Sequence, residues 1–84
     1  MHDSFLMQNI SCEIKKICDE NNLTRVDIIE ISFGHQSHIT EKHLLEHLLD
    51  LNKDVLHENT QVKVSYEDMD ELTAVIKKIQ GEKV

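Results

Sequence analysis

The sequence predicts an α+β fold, with helices packed on a small sheet in the order α-β-α-β-α, and three observations predict it. Apolar residues recur at spacings of three and four in three separate stretches. Two stretches between them alternate apolar and polar residues and are rich in β-branched side chains. The chain has no proline and two glycines, Gly34 and Gly81, so little interrupts these patterns.

The first helix is expected from Ser4 to about Asn21, where Leu6, Ile10, Ile14 and Ile17 form one stripe. Asp3 or Ser4 can cap its start with a side-chain oxygen, and Asn21-Asn22 ends it. Val26 to Phe33 reads as a strand with Ile29, Ile31 and Phe33 on the buried face, closed by Gly34. Thr40 caps a second helix, Glu41 to about Leu51. His43 stands where a capping box would need Glu, so the cap is plain. Leu44, Leu48 and Leu51 point inward, with Leu45 and Leu49 beside them.

Asn59 and Thr60 turn the chain into a second strand, Gln61 to Tyr66, with Val62, Val64 and Tyr66 inward. Strand, helix and strand form a β-α-β unit, which makes the two strands parallel. Asp68 to Gln80 reads as a third helix with Met69, Leu72, Ile76 and Ile79 on one face and Gly81 as its stop. Its acids Asp68, Asp70 and Glu71 come early and Lys77 and Lys78 late, which suits the helix dipole. This helix is expected to cover the sheet, because two strands alone are not stable. An uncovered strand edge would favour a homodimer.

The length of 84 residues corresponds to a single domain, 1–84. A chain this short buries about 60% of its unfolded surface, so it holds a core but no deep enclosed cleft. Nine Lys and Arg face sixteen Asp and Glu, a formal charge of -7. That balance excludes a basic stripe for duplex nucleic acid. One Tyr, two Phe and no Trp leave no base-stacking platform. An acidic surface suits cations or basic partners. No apolar run reaches the ~20 residues a membrane helix needs, and residues 1–20 carry charges in place of a signal peptide. Cys12 and Cys18 are six residues apart on one helix and face different ways, and no CxxC pair occurs. Reduced thiols, a cytoplasmic chain and no structural zinc are the expectation.

Met1-His2-Asp3, the helix with Leu6 and Ile10, and the strand Val26 to Phe33 are followed by Phe33-Gly34-His35-Gln36-Ser37. A helix and the strand around Val62-Lys63-Val64 come after them. Residues 1–66 in this register resemble the nickel-binding domain of the hydrogenase maturation metallochaperones (HypA/HybF). That family opens with Met-His-Glu and has a strand running into Ile-Gly-Glu-x-Ser. Asp3 and His35 depart from the pattern. So does the absence of the family's zinc module with its two CxxC pairs, where residues 67–84 read as a C-terminal helix. The family's last strand, which returns after that module, is missing from this reading too.

The resemblance implies Ni(II) as cargo, held by donors from Met1, His2 and Asp3: the Met1 amine, the His2 amide and imidazole, and the amide of residue 3. It implies partners among nickel-enzyme maturation proteins. The chemistry is coherent, because Ni(II) with strong nitrogen donors favours a square plane. The alternative is a metal-free interaction module derived from that family.

Two other histidine groups stand out. His43-Leu44-Leu45-Glu46-His47 places two imidazoles four apart on one helix face and matches HxxEH, a zinc-hydrolase pattern. Zinc hydrolysis needs a third protein ligand and a water-excluding groove, so a helix flank is the simpler reading. His35, His38 and His57 read as polar loop residues. No phosphate loop, dinucleotide fingerprint or nucleophile elbow is present, and no enzyme activity is expected.

Overall fold

The computed structural model describes residues 2–70 and 73–83, with side chains from Phe5 onward in those ranges. Helix α1 spans His2–Asn21, strand β1 Leu23–Gly34, helix α2 Glu41–Leu51, strand β2 Gln61–Glu67 and strand β3 Ala74–Lys83. The order is therefore α-β-α-β-β, with two helices and a three-stranded mixed sheet. This corrects the expected α-β-α-β-α.

The first four elements form where the residue pattern directs. In α1, Leu6, Met7, Ile10, Ile14 and Cys18 are buried, which is the predicted stripe widened on one side. The helix opens at His2, so Asp3 and Ser4 lie inside its first turn rather than ahead of it. Asn22 adopts a left-handed backbone (φ 57°) just past the helix end, and the Asn21 side chain donates to the Ile17 carbonyl at 2.9 Å. Because that one residue separates α1 from β1, the strand runs back along the helix. The start of α1 therefore lies at the carboxyl end of β1.

Strand β1 is central, in the order β2-β1-β3, parallel to β2 and antiparallel to β3. Val26, Ile29, Ile31 and Phe33 are fully buried, each contributing about 1.5–3 kcal/mol by leaving water. Ile39 and Leu56, from the connections flanking α2, complete this core, and the apolar periodicity gave no signal for either. Thr40 caps α2 by accepting from the His43 amide at 3.2 Å. Leu44 and Leu48 are buried as expected, but Leu51 is 47% exposed, because the helix ends there and Asn52 turns the chain away. Tyr66 also departs from expectation. It is 42% exposed, and its hydroxyl reaches across to donate to the Ile39 carbonyl at 2.5 Å.

The third helix is replaced by β3, and the reason is visible in the register. Ile79 pairs with Ile29 and Ile76 with Ile31, so three positions in β3 match two in β1. A bulge at Lys77-Lys78 absorbs the extra residue and keeps both isoleucines on one face. A bulged strand thus imitates the i, i+3 spacing of a helix. Once that mimicry is removed, Val75, Ile76 and Ile79 have ordinary strand chemistry. The pairing also supplies partners for the backbone groups along one edge of β1. Of the residues assigned to that helix, Glu71 and Leu72 lie outside the described residues, and Met69 is half-buried in the connection before β3.

Gly81 is not a helix stop. It sits opposite Val26, where a Cβ would overlap the Arg25 carbonyl oxygen, so close passage of β1 and β3 requires glycine there. Gly34 has a similar role at the other end, because a Cβ would lie 2.5 Å from the Met69 carbonyl oxygen. On the outer edge of β2, the Glu41 carboxylate accepts from the Val64 amide at 2.9 Å and occupies a donor that a second strand would need. No helix among the described residues is long and apolar enough to cross a membrane.

Candidate metal-binding site

The topology brings four of the six histidines, by their positions along the backbone, to one end of the sheet. Helix α1 begins at the carboxyl end of β1, and α2 begins after the six residues that follow the same strand end. His2 in the first turn of α1, His35 and His38 in the connection, and His43 in the first turn of α2 therefore share that end. Met1 lies outside the described residues. His2 and Asp3 are described as helical backbone that opens α1.

That backbone position has a chemical consequence. The first four amides of a helix have no carbonyl one turn earlier to bond. The His2 and Asp3 amides belong to this set, so no helical hydrogen bond has to break before they act as ligands. The positive end of the helix dipole opposes a cation there by about 0.3–1 kcal/mol at an exposed site.

His43 and His47 converge. Their Nε2 atoms are 3.0 Å apart, with ring centroids 4.8 Å apart and planes tilted by 34°. Both rings are half-buried. By helical phase they lie on the flank of α2 away from Glu41, which reaches the outer edge of β2. Glu46, the acid of the HxxEH pattern, is exposed. Among the described residues no group of three or more His, Cys, Asp or Glu side chains converges on one point.

The remaining histidines separate clearly. His57 accepts from the Asn59 amide at Nδ1, 3.2 Å away, which leaves Nε2–H to face Asp27 Oδ1 at 3.3 Å. Asp27 also lies 3.6 Å from Arg25 Nε. His57 thus pins the chain between α2 and β2 to β1, helped by the Thr60 hydroxyl donating to the Val26 carbonyl at 2.8 Å. His35 and His38 are exposed, and the turn they flank is held by Ser37, whose amide donates to the Gly34 carbonyl at 3.0 Å.

The cysteines sit apart from this end. Cys12 is exposed, whereas Cys18 is buried, and burial pushes its thiol pKa up, assisted by Asp19. A groove of about 480 Å³ runs between α1 and β3, past Leu6, Ile10, Ile17, Ala74 and Ile76, and among the described residues neither histidine nor cysteine lines it. No family model matches the chain, and neither a curated protein nor a solved structure matches it.

Proposed function

We propose that the chain binds Ni(II) through Met1, His2 and Asp3 and passes it by ligand exchange to a nickel-enzyme maturation partner. The observation that carries this reading is the opening of α1 at His2. It leaves the amides of His2 and Asp3 without helical acceptors. The sequence register of the metallochaperone resemblance supports it. Strand β3 supports it as well, because a returning last strand was one of the features whose absence set the chain apart from that family.

In this mechanism the His2 imidazole folds back beside the amine and its own amide, and the donors close a plane around the ion. Release needs protonation of the amine or replacement by a partner's ligand. Protons compete with the ion for the same nitrogen donors, so uptake weakens as pH falls.

The test uses protein whose Met1 carries a free amine. Nickel titration is expected to saturate at one equivalent with a yellow, square-planar absorption band. His2→Ala, or acetylation of the Met1 amine, abolishes that band. Unchanged uptake in both variants refutes terminal coordination. Absence of tight nickel in the parent, together with a partner recovered by pull-down, leaves the metal-free interaction module instead.

A further inference from the structure

We propose that His43 and His47 form a second, separate chelating pair for a divalent d-block cation, with Cu(II) and Ni(II) as the best-matched ions. Four residues apart on α2, the two rings bring their Nε2 atoms to 3.0 Å. Two imidazole nitrogens bound cis on a square plane or octahedron, each about 2.0–2.1 Å from the ion, lie about 2.9 Å apart. On a tetrahedron the same bonds hold them about 3.3–3.4 Å apart. The two rings are close enough to close on one ion, and Cu(II) and Ni(II) rank highest among the divalent first-row ions for such nitrogen donors.

In the metal-free chain a single hydrogen bond accounts for the contact, one Nε2–H donating to the other Nε2. That bond sets both rings in the chelating pose before an ion arrives. Binding moves the shared hydrogen to Nδ1 of the donor ring, so both rings stay neutral and both Nε2 lone pairs face the ion. The platform is rigid, since Thr40 caps the helix and Leu44 and Leu48 anchor it in the core. His57 does not compete, because Asn59 and Asp27 engage both of its nitrogens. Two protein donors leave the other coordination positions to water or a partner's ligand, which suits exchange rather than storage.

The inference does not depend on the terminal site, and the test separates them. The chain is extended by two residues before Met1, with the new amine acetylated and His2→Ala, which removes the terminal chelate, and is titrated by calorimetry with Cu(II) or Ni(II) ions alone. One equivalent is expected to bind. His43→Gln and His47→Gln, which keep the helix, each weaken binding at least tenfold, as do the Ala variants. His57→Gln changes it less than twofold. Failure of the extended chain to bind either ion overturns the proposal, as does parent-like affinity in both Gln variants with unchanged far-ultraviolet circular dichroism. Neither result bears on nickel at Met1, which is read on the unextended chain.

Discussion

Glu67 ends β2 beside two groups that favour its charged form. The Ser32 hydroxyl and the Lys77 ammonium, 3.2 Å away, hold its carboxyl below the usual carboxylate range. Between that lowered value and the ordinary one near 4.5, the unfolded chain binds a proton that the folded chain does not. Stability contributed by Glu67 is therefore present above about pH 4.5 and lost as pH falls through the folded value. Glu67→Gln is expected to flatten the acid limb of a stability-against-pH curve while leaving the midpoint at pH 7 nearly unchanged, because an exposed pair is screened. An acid limb as steep as the parent's removes this account. Other residues show how far single positions could be read in advance. The Thr40 cap and the inward Ile29, Ile31 and Phe33 follow from their own chemistry and immediate spacing. The pairing of His57 with Asp27 does not, because it joins residues that are distant in sequence.

At the scale of elements, α1, α2 and β2 were legible because each has an uninterrupted period, and β1 because its alternation holds from Ile29 to Phe33. Strand β3 was not, because the bulge at Lys77-Lys78 converts a period of two into one that passes for three and a half. Related shifts occur in β1, between Leu23 and Arg25 and between Val26 and Ile28, so Val26 joins Ile29 on the buried face although simple alternation assigns it to the other. The convergence of His43 and His47 was legible as i, i+4 spacing, but its distance depended on rotamers that only packing decides. Gly81 gives the sharpest test of β3. Gly81→Ala drives a methyl into the Arg25 carbonyl and is expected to cost more than about 3 kcal/mol, read from denaturant midpoints. As an ordinary stop after a helix, the same position would tolerate alanine far better. A loss below about 1 kcal/mol would argue against the β1–β3 crossing.

For the molecule as a whole, β1 is the member that every layer meets. It pairs on both edges and carries both helices on one face, directly or through its neighbours. Amide exchange is expected to be slowest in Ile29 to Phe33. Exchange is expected to be faster at the outward amides of β3 and β2, with Val64 partly protected by Glu41. Equal protection across the three strands would contradict the central placement of β1.

The same arrangement gives the growing polypeptide a problem of timing. Residues 23–34 leave the ribosome long before 74–83, and through that interval the most water-averse stretch of the chain has one flank with nothing to hold. Parallel pairing through α2 shields the other flank sooner, while the second waits for the final ribbon to arrive. Until it does, clumping between nascent chains is the hazard, and that hazard comes from the wiring diagram rather than from any weakness in the finished fold.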